Sequence, residues 1–299
     1  MGRVWCGSAA KPGPTHYNRR KNCQDMVFSF RRDKMIVASV ADGCSASSKS
    51  EAGAAQLCHA ATQAMWQLVK LGVSWDIFPG AYDRLLQRYL MNAIAAYPGG
   101  AQFLSELTVY DRAVDLMESD NYLVYAAIAE MYQATVLGVC VHEDEGGLVL
   151  VRGDAKVSLD GKLSIFDYND MPPYLGYMLA IKGQEYPGDP ADLHSKVIRV
   201  PPNFQKLGVT TDGWPWHHAP ANPFGRWKWR KFETWLLDLN NRREDEDLTI
   251  LSSDDAWNVY HPEEVDDLAR LLVKKNTMPD GSVIFDDDIS GVFIEREVT

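Results

Sequence analysis

Three apolar runs in this sequence stop at an aspartate: VASVADG at Asp42, VLVRGD at Asp154 and GVTTDG at Asp212. A fourth run, ISGVFIE, begins just after Asp286-Asp287-Asp288. Carboxylates at the ends of rigid strands can be gathered on one rim of a sheet. Hard divalent cations such as magnesium and manganese favour such oxygen ligands in octahedral geometry and retain several waters. Gly43, directly after Asp42, lets the backbone approach closely enough to lend its carbonyl as a further ligand. Taken singly, each Asp-Gly pair is better explained as a turn, which is what the dipeptide usually marks. Asp160-Gly161 is such a case, because the alternation of KVSLDGKLSIF on either side accounts for it as a two-residue hairpin.

The elements that must position these acids follow from periodicity. MIVASVA (35–41), ATVLGVCV (134–141) and GLVLVR (147–152) are continuous apolar runs of strand length, and LGVTT (207–211) and ISGVFIE (289–295) complete the set. Close spacing and tight turns point to antiparallel sheets rather than repeated crossover units. Ser48 with Glu51 is a capping-box pattern ahead of a long helix. Its stripe is Ala54, Leu57, Cys58, Ala61, Met65, Leu68 and Val69, with Gly72 at its end. Residues 81–96 read as a second helix, 261–276 as a third, and 100–132 as further amphipathic helix. No internal repeat or low-complexity linker divides residues 1–299, so a single α+β domain is the simplest organisation.

Bulk composition narrows the function classes. The 299 residues are 46% apolar and 24% charged, as in an ordinary soluble protein. No apolar run approaches the roughly 20 residues of a membrane span, and the start MGRVWC lacks a signal-peptide core. A cytoplasmic location is therefore expected. Net charge of −11 argues against general affinity for nucleic acid or an anionic membrane. Five cysteines without CxxC spacing read as reduced thiols.

The order and context of these motifs resemble the metal-dependent protein phosphatases of type 2C, particularly the bacterial members. RRKNCQDM (19–26) resembles the opening motif, in which an Arg precedes an Asn, Glu or Gln and then Asp. VADGCSASSKSEAGA (40–54) resembles the Asp-Gly loop that leads into a long helix. YQATVLGVCV (132–141) and LVLVRGDAKVSL (148–159) resemble the central strands, VTTDGW (209–214) the strand ending in Asp-Gly, and FDDDISGVFIE (285–295) the closing strand. Each match is short; their order along nearly the whole chain is what carries the resemblance.

The resemblance implies a four-layer α/β/β/α sandwich, two antiparallel sheets flanked by helices, with the site in a cleft at one end. It implies two magnesium or manganese ions, with Glu130 near where some relatives place an acid for a third. Asp42 would bridge the two ions and the Gly43 carbonyl would bind the second. Asp212 and Asp287 would hold the first, and Asp25 would sit beside them through bound waters. Arg20 would grip the substrate phosphate, which suits a forked guanidinium. Asp154 belongs to a strand motif that is more structural than ligating. The implied activity is hydrolysis of phosphoserine or phosphothreonine in a protein, opposing a kinase, by a metal-activated water. The alternative is a phosphatase-like module that binds a phosphoprotein or partner without turnover. Gln24 motivates it, standing where many relatives carry a metal-binding glutamate. Cys44, where eukaryotic relatives have a histidine, is expected to fill space rather than act as a nucleophile.

Two further stretches stand out. Residues 167–196, rich in Pro and Gly, resemble the family's flap beside the active site. Residues 214–235 interleave Trp214, Trp216, Trp227, Trp229 and Trp235 with Arg226, Lys228, Arg230 and Lys231. Packing of the tryptophans onto the domain is the favoured account, with a partner contact as the minority one. His217-His218 reads as surface, since no other ligand stands at zinc spacing. The acidic run 243–248 reads as a solvated loop.

Overall fold

The structure, a computed structural model, describes residues 4–11, 23–44, 47, 49–96, 98–101, 104, 127–128, 130–169, 171–179, 186–213 and 288–296. The expected helix at 261–276, most of 100–132, and the segments 214–235 and 243–248 lie outside the described residues.

Among the described residues, ten strands form two five-stranded sheets in which every pairing is antiparallel. One sheet has the order β2 (Met26–Arg32), β3 (Met35–Gly43), β4 (Ala134–His142), β5 (Gly146–Arg152) and β8 (Lys196–Val200). The other has the order β1 (Val4–Lys11), β10 (Ile289–Arg296), β9 (Lys206–Thr210), β6 (Ala155–Leu159) and β7 (Lys162–Phe166). Ile36, Ala38, Val40, Leu137, Val139 and Val149 of the first sheet meet Val157, Leu207, Val209 and Val292 of the second in one buried core. The outer face of the first sheet, including Val37, Ala41, Val136 and Leu150, packs beneath helices α1 (Ser50–Lys70) and α2 (Phe78–Ala95).

This double coverage explains why β3, β4 and β5 read as unbroken apolar runs. Both faces of the central strands are buried, so the usual alternation of an antiparallel strand is lost. At about 1.5–3 kcal/mol for each fully buried aliphatic side chain, replacing one by a polar residue on either face of these strands is costly. The fold is thus α+β, with two face-to-face antiparallel sheets and helices against one of them.

Local geometry bears out much of the periodicity. The β6–β7 hairpin turns at Asp160 and Gly161, with φ of 49° and 82°, as the Asp-Gly pair requires. Cys58, Leu57, Ala61, Met65 and Leu68 face the core along α1. Ser48 of the expected capping box lies outside the described residues. Helix α1 begins at Ser50 after Lys49 in the left-handed region (φ 64°), and Lys49 provides no side-chain cap. Ser50 Oγ, at the first position of the helix, is engaged by the Asp-Gly loop, as described below. The second helix begins three residues earlier than expected, at Phe78, with Pro79 in its first turn. Gly153, at φ 99°, lies where the chain leaves β5 in one sheet and enters β6 in the other. A Cβ there would come within 2.4 Å of Thr135 Cγ2, so both conformation and contact require glycine.

Candidate active site

Antiparallel pairing sends the acids to one rim. Because Met26 pairs with Ala41, the entry to β2 lies beside the exit from β3, bringing Gln24 and Asp25 next to Asp42 and Gly43. In the second sheet Gly291 pairs with Thr210, so Asp288 at the entry to β10 lies beside Thr211 and Asp212 at the exit from β9. The two rims are then joined by hydrogen bonds. Thr211 Oγ1 donates to Asp25 Oδ2 at 2.7 Å and accepts from the Ser290 amide at 3.0 Å. The Gln24 amide donates to Asp288 Oδ2 at 2.5 Å.

Asp25 is only 1% exposed, and its second oxygen, Oδ1, is buried without a hydrogen-bond donor. Asp42 is its neighbour, a contact that becomes a hydrogen bond only when one of the two acids carries a proton. Burial pushes the Asp25 carboxyl up from 3.8 to about 7, and charges on Asp288 and Asp212 push the same way. The contacts with Asp42 and Thr211 offset part of the rise. Cys23, next along, is raised chiefly by burial and then by the charges of Asp25, Asp288 and Asp42. Its thiol therefore stays protonated and is no nucleophile.

The Asp-Gly loop is fastened to the start of α1. Gly43 N–H donates to the Gln24 carbonyl at 3.2 Å, and Cys44 N–H to the Gln133 carbonyl at 2.9 Å. Ser50 Oγ donates to the Cys44 carbonyl at 2.8 Å. Gln24 Nε2 donates to Ser50 Oγ at 2.6 Å and to the Cys44 carbonyl at 3.2 Å. A carbonyl only accepts, so the nitrogen of the Gln24 amide must face it. A Cβ on Gly43 would lie 2.9 Å from the carbonyl carbon and oxygen of Ser50. Glycine is needed here for the approach of a helix, a constraint separate from the metal approach expected at this position.

Of the expected site residues, Asp25, Asp42, Gly43 and Asp212 come together at this rim. Arg20 and Asp287 lie outside the described residues. Asp154 accepts from the Tyr168 amide at 2.9 Å at the crossing between sheets, a structural contact. Glu130 lies just before β4. Cys44 and the other four cysteines are free thiols. Asp288, Thr211, Ser50 and Lys156 were not anticipated. Lys156, 7% exposed, donates its ammonium to the Asp212 backbone carbonyl. Burial lowers its pKa, and Asp212 and Asp167 oppose that. Thr211 has a sequence signal in its place directly before Asp212, and Asp288 in its place within the acidic triplet before the closing strand.

Among the described residues, no three His, Cys, Asp or Glu side chains form a finished metal cage. The donor set nonetheless suits a hard cation: carboxylates of like charge are held together, and a buried Asp25 oxygen lacks any donor.

Among curated proteins none matches this chain. Solved structures of similar fold include the photosystem II phosphatase PBCP, at 14% identity over 99% of this chain and 100% of that one, with a TM-score of 0.47. RsbX in complex with magnesium is 12% identical over 98% of this chain and 96% of that one, with a TM-score of 0.40. The phosphatase domain of the cell-fate determinant SpoIIE from Bacillus subtilis is 13% identical over 99% of this chain and 94% of that one, with a TM-score of 0.41. The family model for protein phosphatase 2C matches residues 12–252, most of the chain, and the protein belongs to that family.

Proposed function

We propose that this protein is a magnesium- or manganese-dependent phosphatase that hydrolyses phosphoserine or phosphothreonine in a protein substrate, opposing a kinase. The observation that carries this reading is the convergence of acids from two sheets on one rim, with the buried Asp25 oxygen lacking a donor. Family membership supports the reaction class.

Asp42, Asp212, Asp287 and the Gly43 carbonyl would hold the ions, with Asp25 beside them. Bound divalent ions would lower the pKa of a water and neutralise phosphoryl charge. The chain's own residues do the rest. Arg20 would orient the phosphate through forked donors. Thr211 holds Asp25 by one oxygen and leaves the other directed at the acid cluster. Gln24 and Ser50 clamp the loop that carries Asp42. Lys156 fixes the backbone of Asp212. No thiol or hydroxyl nucleophile enters this scheme, and the protonated state of Cys23 agrees with that.

One observation favours a second reading, a module that binds a phosphoprotein without turnover. The Gln24 amide nitrogen is committed to Ser50 and Cys44, so this side chain serves the loop where a charged ligand would serve an ion. The two readings separate in an assay of phosphate release from a phosphoserine peptide with manganese. Phosphatase function predicts turnover that falls at least about 100-fold in Asp42→Asn and in Asp212→Asn. Peptide binding with no manganese-dependent turnover would establish the binding module instead.

A further inference from the structure

Beside the acid rim, residues 171–179 and 186–195 carry three tyrosines in contact. Tyr174 and Tyr177 stack with ring centroids 5.9 Å apart, and Tyr177 and Tyr186 lie 5.4 Å apart at a tilt of 49°. All three are half-buried. The segment is tied to the strand next to the Asp-Gly loop: Gly176 N–H donates to the Tyr132 carbonyl at 3.0 Å, two residues before the start of β4, where Ala134 pairs with Gly43. Tyr174 lies close enough to Cys44 and Asp42 for burial and both groups to raise its phenol.

The segment is held from below by a buried ion pair. Arg152, at the end of β5, has no exposed side-chain surface and bonds through Nη2 to Asp83 Oδ1 of α2 at 3.1 Å. Its Nη1 approaches Met178 Sδ at 2.6 Å. Asp83 in turn accepts from Ser195 Oγ at 2.6 Å and from the Ser195 amide at 3.1 Å. One ion pair therefore reaches both Met178 and Ser195. Replacing a buried ion pair by well-packed apolar residues is often neutral or stabilising, so stability alone is a weak account of the charges.

We infer that the Arg152–Asp83 pair positions the tyrosine cluster as a wall beside the acid rim, where it packs against the residues flanking the phosphorylated side chain of a protein substrate. This deepens the proposed function and rests on it. Arg152 and Asp83 are positioning residues and touch no substrate. Aromatic faces offer large contact area at small entropic cost, which suits extended peptide rather than a lone phosphate.

The test compares a phosphoserine peptide with p-nitrophenyl phosphate, both with manganese. Asp83→Asn should raise KM for the peptide about tenfold while leaving nitrophenyl phosphate turnover within about twofold. Ser195→Ala, which leaves Arg152 paired, should shift KM the same way to a smaller extent. The double change Arg152→Met with Asp83→Leu should recover the melting temperature without recovering KM. Hydrogen exchange at the Gly176 and Ser195 amides should quicken in Asp83→Asn. The inference is overturned if peptide KM is unchanged in all three variants, if the double change restores it, or if both substrates lose equally. If the wild type turns over neither substrate, the phosphatase reading fails. Exchange then still decides the positioning role, and unchanged protection of Gly176 and Ser195 would end it.

Discussion

Asp25 offers the sharpest prediction, because its burial is costly in the metal-free protein. Burial raises its carboxyl from 3.8 to about 7. For an acid whose folded pKa is raised, the native state binds the proton more tightly than the unfolded chain. The contribution of Asp25 to stability is therefore highest below about pH 4, falls as pH rises towards 7, and stays reduced above it. At 1.36 kcal/mol per decade, the interval amounts to on the order of 4 kcal/mol at pH 8. Asparagine keeps an oxygen for the Thr211 hydroxyl and places an N–H where Oδ1 has no donor. With chelator present at pH 8, Asp25→Asn should be more stable than the wild type by about 2–4 kcal/mol, or on the order of 5 °C in melting temperature. The gap should close at pH 4. Manganese at pH 8 should raise the melting temperature of the wild type more than that of the variant, because the ion favours the charged carboxylate. Melting curves across pH with and without manganese measure all of this. If Asp25→Asn is the less stable protein at pH 8 in chelator, the burial cost has been misread.

Gly43→Ala should cost about 1–3 kcal/mol by overpacking, since its Cβ would meet the Ser50 backbone at 2.9 Å; denaturant unfolding and the phosphopeptide assay should both register the displaced loop. Thr211→Val removes the bridge between the rims and strands the Ser290 amide. A loss of about 1–3 kcal/mol is expected by urea titration, with lower turnover. Gly161→Ala, in a left-handed turn position of the β6–β7 hairpin, should cost about 1 kcal/mol and leave turnover unchanged, since the turn lies at the opposite end of β6 from Lys156.

The parts of the fold legible in the sequence were those in which one force dominates. β3, β4 and β5 are buried on both faces and so appear as unbroken apolar runs. The β6–β7 turn is dictated by Asp160 and Gly161 themselves. β1, with its run of small residues in VWCGSAAK, and the edge strand β8, with Val197 exposed, carried too little hydrophobic contrast. At the start of α1 the local pattern does not reveal the tertiary contacts: Ser50 is bound to the Cys44 carbonyl and to Gln24. The acids at strand ends were visible, but not their wiring. That Thr211 spans the two sheets to reach Asp25, or that Asp288 takes the Gln24 amide, depends on residues 186 and 264 positions apart. Nothing in local pattern encodes such a pairing.

We propose that the rim where Asp25, Asp42 and Asp212 converge holds divalent ions. Anomalous diffraction from crystals soaked in manganese addresses it most directly. Manganese peaks are expected against Asp42 and Asp212, with Asp25 within a water's reach, and are expected to be lost in Asp42→Asn. An empty rim at saturating manganese, or ions bound only elsewhere, would contradict it.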